Sequence, residues 1–389
     1  MNKFQSQHES SVSRCRVASR GVCEGADSHP LHVLFYTAPT AMQRPGGGEV
    51  QLLKTAEYLD QLGAQVRLFD PWHDRLNRAD WLHLFGTMPE CLTMAREAKR
   101  LGVRIALSPI SWYDPWVSWK LETTLARKCR GVSGWAARRY FPFIPSWRRE
   151  LIHLADVLLP NSQAEARQLE LLFGVDRSRI CVVPNGVDAR FADGDGEQFC
   201  SQFDIRDFVL LPGRIEPRKN QLAVLLALWG TGIPVVVLGD PHPDHKQYYL
   251  KCIRAADPGV MFVGQLEHES SLLASAYAAS RVVVLASWFE TPGLAALEGA
   301  LAGARVVVTE RGCTREYFGD AVGYVQPNDV MGIRTAVREA FTRRKTDDLS
   351  EAVLQSFLWD TVARKTLEAY QSVQTGKQGV AAEPLATAA

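Results

Sequence analysis

The chain has almost no excess charge: 44 Lys and Arg stand against 43 Asp and Glu over 389 residues, a net charge of +1. That balance argues against a general nucleic-acid binder, which carries a strong basic excess. The 8 cysteines (Cys15, Cys23, Cys91, Cys129, Cys181, Cys200, Cys252 and Cys313) include no C-x-x-C pair and no histidines at zinc spacing. A disulfide scaffold or zinc module is therefore not expected, and reduced thiols in a cytosolic protein fit the scatter. An apolar h-region is missing from the first 30 residues, which hold Arg14, Arg16 and Arg20 in a polar stretch and read as a disordered tail rather than a signal peptide. The uncharged run Leu222–Gly239 approaches membrane length, but Gly230, Thr231, Gly232 and Pro234 break it. A buried helix turning into a strand at Pro234–Leu238 accounts for it better than a membrane span. No G-x-G-x-x-G follows a strand, which disfavours an NAD enzyme.

The length suggests two domains, and 46% apolar residues suffice to fill two cores. Strand-length apolar bursts alternate with helical patterns. Leu31–Tyr36 is a strand, Gly46–Gly48 a glycine loop, and Glu49–Leu62 a helix with Leu52, Ala56, Leu59 and Leu62 on one face. Strands follow at Gln65–Phe69, Trp81–Phe85, Val103–Leu107, Leu154–Leu159 and Ile180–Val183. The rhythm pauses near Asn185–Asp188, and the polar, glycine-containing Ala192–Glu197 reads as a linker. A second series runs Phe208–Leu211, Val235–Leu238, Met261–Val263, Val282–Leu285, Arg305–Val308 and Gly323–Val325. The expected fold class is α/β, with two Rossmann-like, doubly wound parallel units facing a central cleft. The boundaries expected are an N-terminal tail over 1–30, a first domain over 31–188, a second over 189–356, a closing helix over 357–372, and a floppy tail over 373–389.

Ligands of such sheets bind beyond the carboxyl ends of the strands, so the residues found there are the site candidates. In Leu211–Asn220 a strand ends at Gly213, and Arg214 and Lys219 precede a helix. A helix N-terminus attracts anions rather than cations, so the pair makes sense around a bound diphosphate; two ordinary surface cations on a solvated loop are the alternative. In Ser287–Glu298, Glu290 follows a strand, Pro292 suits the first turn of a helix, and Glu298 is the lone charge on a helix of Gly, Ala and Leu. An unpaired buried carboxylate is costly, so Glu298 calls for hydroxyl donors such as a ribose diol, while Glu290 could hold a sugar. One capping and one exposed glutamate would be the plain reading.

Together these residues resemble retaining glycosyltransferase family 4, through a Gly-Arg-x4-Lys loop followed by a Glu-x7-Glu element. Further matches are the Gly46–Gly48 loop, Leu159-Pro-Asn-Ser162, Val183–Asp188, Val263–Leu266 and the closing Phe357-Leu-Trp-Asp…Tyr370. The resemblance runs from about Leu31 to Tyr370. It implies a GT-B fold and a nucleoside-diphosphate sugar held mainly by the second domain, with no cofactor and no metal. It implies Arg214 and Lys219 on the diphosphate, Glu290 near sugar and phosphate, Glu298 on the ribose, and Gly47 and Gly48 facing the donor. Val263, Gly264, Gly293 and Leu294 complete the implied donor site, and the last helix, Leu358–Tyr370, is implied to pack back on the first domain. Family members often carry a histidine after the strand matching Val103–Leu107. Here that stretch reads Ser108-Pro-Ile-Ser-Trp-Tyr-Asp114, leaving Ser111, Asp114 or the more distant His83 as acceptor-side candidates; a lone histidine near a strand end is also a common structural residue.

Asp193-Gly-Asp195 falls in the linker and reads as a polar turn rather than a metal motif; Asp240–His245 and the loop carrying Cys313 read as structural. Trp119–Arg149 holds eight cations against the single acid Glu122, interleaved with Trp119, Trp135, Tyr140, Phe141, Phe143 and Trp147. That mixture suits anionic lipid headgroups or an anionic or lipid-linked acceptor, or else an ordinary helical insert. The expected function is retaining, metal-independent transfer of a hexose from a nucleoside-diphosphate sugar to a glycan or lipid-linked acceptor in cell-surface polysaccharide or glycolipid synthesis. The expected location is cytoplasmic, at the inner membrane face. Nucleotide-sugar epimerase, sugar phosphorylase and non-catalytic nucleotide-sugar binding are the alternatives.

Overall fold

The computed structural model describes residues 30–43, 45–343 and 348–375. The expected N-terminal tail, with Cys15 and Cys23, lies outside the described residues, as does the chain beyond Thr375. The first series of elements is β1 (His32–Tyr36), α1 (Gly47–Gln61), β2 (Gln65–Leu68), β3 (Trp81–Phe85), α2 (Pro89–Arg100) and β4 (Arg104–Ser108). It continues through α3 (Pro115–Leu121), α4 (Leu125–Tyr140), α5 (Trp147–Leu154), β5 (Val157–Leu158) and α6 (Gln163–Phe173). The strands form one parallel sheet in the order β2-β1-β3-β4-β5.

The second series is α7 (Gly196–Phe203), β6 (Val209–Pro212), α8 (Gln221–Leu228), β7 (Val235–Leu238), α9 (Lys246–Ala255), β8 (Val260–Gly264) and α10 (Ser271–Ala279). It ends with β9 (Val282–Leu285), α11 (Leu294–Leu301), β10 (Arg305–Thr309), α12 (Thr314–Phe318), β11 (Gly323–Val325), α13 (Val330–Thr342), α14 (Asp348–Ser356) and α15 (Trp359–Gln374). Its six strands are parallel in the order β11-β10-β9-β6-β7-β8. Both sheets are doubly wound, and the chain reverses direction between β1 and β3 in one and between β6 and β9 in the other. In each, the crevice at that reversal is where ligands sit.

These strands are continuous apolar runs because both of their faces are covered. Alternate residues of β6 enter opposite cores: Leu210 joins Val283 and Leu297 on one side, while Val209 and Leu211 join Leu225 and Val337 on the other. Around the first sheet, Leu82, Leu84 and Ile105 pack with Leu92, Leu151 and Leu169. The opposite face packs Phe35, Trp81, Leu52 and Leu59 with Trp359, Val362 and Tyr370 of α15. Tyr370 stacks on Trp81 with centroids 4.8 Å apart. A Cβ on Gly186 would fall 2.6 Å from the Trp359 ring, so the connecting chain passes the last helix only as glycine.

Four local expectations need correction. Leu154–Leu159 is not one strand: α5, capped by Ser146 through the Arg149 amide, runs to Leu154 and leaves only Val157–Leu158 in the sheet. Leu151 and Ile152 are completely buried on that helix, and their packing carries the helix on to Leu154, the first residue of the expected strand. Ile180–Val183 pairs through a single bridge to Leu158. Pro292 does not open a helix; α11 starts at Leu294 behind Gly293, whose φ of +95° breaks the turn. The C-terminal helix also extends to Gln374, past the start of the expected tail.

Candidate active site

The two loops at the reversal of the second sheet carry three of the predicted residues. After β6 the chain turns at Gly213 (φ +113°) and presents Arg214 and then Lys219; after β9 it presents Ser287 and Glu290. Lys219 Nζ lies 2.7 Å from Glu290 Oε1, and Ser287 Oγ donates to the same oxygen at 2.5 Å. Glu290 is 4% exposed. Burial pushes its carboxyl up, but the Lys219 ammonium, Arg218 and Ser287 outweigh it and hold the group ionised, below the usual carboxylate range. Burial pulls Lys219 down against that same carboxylate. Arg214 makes no ion pair among the described residues, so its guanidinium is uncommitted.

The backbone holding this pair tolerates little change. A Cβ on Gly312 would lie 1.9 Å from the Glu290 carbonyl oxygen, and Glu290 and Gly312 form a one-residue parallel bridge. A Cβ on Gly239, after β7, would lie 2.4 Å from the Gly213 carbonyl. Glycines at these strand ends therefore let neighbouring loops close on one another.

The first sheet contributes from its own reversal. Its glycine loop begins α1, with the Glu49 carboxylate accepting the Gly46 amide at 2.7 Å. A Cβ on Gly46 would stand 3.1 Å from Arg214 Nη2, one on Gly47 3.5 Å from Leu294 Cδ1, and one on Gly48 3.7 Å from Ile110. The loop thus lies directly against Arg214 and the start of α11. Arg214, Lys219, Glu290, Gly293, Leu294 and the glycine loop form one cluster. Glu298 follows Leu294 by four residues, so both project from the same face of α11.

Glu298 is not unpartnered. His268, in the loop after β8, places Nε2 3.2 Å from Glu298 Oε1 and Nδ1 3.2 Å from Glu269 Oε1. Burial works against the imidazolium, but its bonds to Glu298 and Glu269 win and raise its pKa above the ordinary value. Glu269 passes the contact on to Lys54 of α1, which also holds Asp188 of the interdomain connection, each at 3.1 Å. Val263 and Gly264 end β8 just before this loop, where Asp240 Oδ1 accepts the Gln265 amide at 3.1 Å. The sequence reading missed His268, Glu269 and Lys54. Their position beyond a strand end and within a mostly apolar helix face was the available signal.

The acceptor-side candidates divide. His83 is 1% exposed, and its ring nitrogens meet Tyr370 Oη at 2.6 Å and Ser108 Oγ at 2.9 Å. Burial lowers its pKa to about 3. It is a neutral core residue that ties β3 to α15, with no nitrogen left for an acceptor. Ser111 gives its amide to Glu165 Oε1 at 2.6 Å; burial pushes that carboxyl up to about 7. Asp114 caps α3 through the Trp116 amide at 2.8 Å and pairs with Arg311, beyond β10, at 3.2 Å. Arg311 in turn lies 3.7 Å from the Trp116 ring centroid, and Trp116 packs on Trp288. Asp114 therefore joins the two halves beside Glu290. Further polar contacts cross between them: the Gln163 and Ala164 amides, at the N-terminus of α6, bind the Glu316 carboxylate at 2.6 and 2.7 Å. The Asn161 side chain donates to Thr291 O at 3.3 Å. Cys313 is buried, and no group of acids, histidines and cysteines among the described residues is arranged to hold a metal ion.

Two doubly wound parallel sheets, with Arg214, Lys219 and Glu290 beyond the reversal of the second, form a two-domain arrangement of the GT-B type. Comparison with known proteins agrees. Residues 72–191 match the family model for Glycosyltransferase Family 4, and residues 206–343 match that for Glycosyl transferases group 1. A glycogen synthase of Mycobacterium tuberculosis is 29% identical over 294 residues, spanning 70% of this chain and 67% of that protein. A D-inositol 3-phosphate glycosyltransferase of Kineococcus radiotolerans is 28% identical over 258 residues, 57% of this chain and 58% of its own length. The crystal structure of Anabaena HepE in complex with UDP-glucose shares the fold, with a TM-score of 0.64 and 16% identity over 88% of this chain and 100% of that one. The chain belongs to the family 4 glycosyltransferases.

Proposed function

We propose that this glycosyltransferase moves a hexose from a nucleoside-diphosphate sugar, with retention at the anomeric carbon and without a metal ion, to a glycan or lipid-linked acceptor in cell-surface polysaccharide or glycolipid synthesis. The observation that carries the reading is the convergence of free Arg214, the Lys219–Glu290 pair and the Gly46–Gly48 loop at the reversals of both sheets. HepE, a protein of the same fold, binds UDP-glucose.

In this reading the diphosphate sits between Arg214 and Lys219, with the amides that open α1 facing it, and Glu298 accepts the ribose hydroxyls. As the bond from the anomeric carbon to the phosphate oxygen breaks, negative charge moves onto the diphosphate, where the two cations are already in place; such pre-set electrostatics are the largest lever an enzyme has. The acceptor oxygen bonds to the same face of the anomeric carbon, and its proton passes to the departing phosphate oxygen. Glu290, ionised beside Lys219, accepts a sugar hydroxyl. A lipid-linked acceptor would put the enzyme at a membrane face, the cytoplasmic one in this proposal.

The test is incubation with UDP-, GDP- and ADP-hexoses in EDTA, with NMR of the anomeric configuration in the product or in slowly released sugar. Release of nucleoside diphosphate with the donor's configuration preserved supports the proposal. Activity that requires inorganic phosphate and no nucleotide would instead indicate a phosphorylase, and tight donor binding with no turnover a binding protein.

A further inference from the structure

Between β4 and β5 the first domain carries α3, α4 and α5 in place of a single crossover helix. The sixteen-residue α4 buries none of its residues. Its end and the turn after it leave large apolar groups in water: Tyr140 is 71% exposed, Phe143 67% and Leu125, at the other end, 68%. Phe141, Ile144 and Trp119 are exposed with them.

The charge on this surface is concentrated and of one sign, eight cations over residues 119–149 against the single acid Glu122. Several surface cations elsewhere are neutralised: Arg96 by Glu150, Arg100 by Glu97, Lys99 by Asp156 and Arg206 by Glu197. By contrast Lys120, Arg127, Lys128, Arg130, Arg138, Arg139, Arg148 and Arg149 enter no ion pair among the described residues. Several rest on aromatic rings instead: Lys128 over Trp119, Arg139 over Tyr140 and Arg148 over Trp147. A cation on a ring keeps its full charge; Trp119 and Tyr140 are exposed with theirs, while Trp147 packs partly on the core below. Below the turn, a groove of about 600 Å³ is lined by Phe143, Trp147, Arg149 and His153, among others.

We infer that α4 and the Tyr140–Ile144 turn dock the enzyme on an anionic phospholipid surface, the cations meeting headgroup phosphates and the turn entering the acyl boundary. Aromatic and aliphatic groups beside unpaired cations are what the interfacial layer of an anionic bilayer selects. A nucleic acid would satisfy the cations but not the aliphatic Leu125 and Ile144. This deepens the proposed transfer to a lipid-linked acceptor, yet it rests on a surface that shares no residue with the donor site.

Sedimentation with vesicles tests it, using phosphatidylcholine alone and phosphatidylcholine with about a third phosphatidylglycerol. The full chain should partition onto the anionic vesicles only and come off as sodium chloride is raised, since screening weakens the attraction. Arg127→Gln/Lys128→Gln/Arg130→Gln should weaken partitioning about a hundred-fold, at about five-fold per charge, and Phe141→Ser/Phe143→Ser at least ~10-fold per ring. Both variants should keep the nucleoside-diphosphate thermal shift of the parent, which shows they are folded. Equal binding to neutral vesicles, no vesicle binding at low salt, binding to polyanions such as DNA but not to vesicles, or variants that partition like the parent would each overturn the inference. Vesicle binding without any nucleotide shift would refute the donor site alone.

Discussion

Lys219 and Glu290 form a pair whose disruption has a calculable asymmetry. Glu290 is 4% exposed, and its Oε1 takes both Lys219 Nζ at 2.7 Å and Ser287 Oγ at 2.5 Å. Lys219→Met removes the ammonium and leaves a buried carboxylate with one hydroxyl, a change that costs about 3–5 kcal/mol for a broken buried pair. Glu290→Gln strands the ammonium in the same pocket, with a loss of similar sign. Lys219→Met/Glu290→Gln removes both charges and keeps the volumes, so the loss should shrink to about 1 kcal/mol, because replacing a buried pair by neutral groups is often nearly neutral. The double-mutant cycle should therefore show a coupling of ~2 kcal/mol or more. Urea unfolding followed by tryptophan fluorescence at pH 7 measures it. Acid adds a second readout. The folded Glu290 pKa is depressed, so its stabilisation is complete above the unfolded carboxylate value of about 4.3 and lost as pH falls through the folded value. The parent should thus lose more stability between pH 5 and 3 than the double variant. Additive single losses, or identical acid profiles, would refute the buried-pair argument.

Other outcomes follow from the same geometry. His268 is raised by Glu298 and Glu269, so its contribution is complete below about pH 6.5 and is lost as pH rises through the folded value. Unfolding profiles from pH 6 to 9 should slope downward for the parent and flatten in His268→Gln, with donor KM rising in the variant more than kcat falls. Gly312→Ala would set a Cβ 1.9 Å from the Glu290 carbonyl at a φ of +106°; it should destabilise by at least ~2 kcal/mol and abolish transfer, read by urea unfolding and donor turnover. Tyr370→Phe leaves His83 Nδ1 without its partner in the core and should cost about 1–3 kcal/mol with kcat nearly unchanged, because that pair ties α15 to β3 rather than touching substrate.

The sequence was most legible where both faces of a strand are buried. Trp81–Phe85, Val235–Leu238, Val282–Leu285 and Gly323–Val325 begin and end where the apolar runs do, since a strand covered on both faces is dominated by apolar residues. The strand-end rule points to Arg214, Lys219 and Glu290, and the fold brings these three into neighbouring loops. Short edge pairing was illegible: β5 is two residues long, and its neighbour joins through one bridge. Long-range polar partners were equally hidden, as with His268 on Glu298, thirty residues apart, and Lys54 on Glu269 and Asp188. A helix pattern shows that Lys54 lies near an apolar face, but only the fold brings two carboxylates to it. His83 shows the converse, a chemically suggestive residue whose nitrogens the core already occupies.

The proposed transfer depends on Arg214 and Lys219 gripping the diphosphate of an activated sugar. Isothermal titration of UDP, GDP and ADP into the parent, Arg214→Ala, Lys219→Ala and the double variant measures that grip directly. At least one nucleotide should bind the parent, each single variant should bind it ~10-fold or more weakly, as expected for a lost charged contact of about 1.5–3 kcal/mol, and the double variant should not bind measurably. A folded double variant that binds with the affinity of the parent would contradict the account.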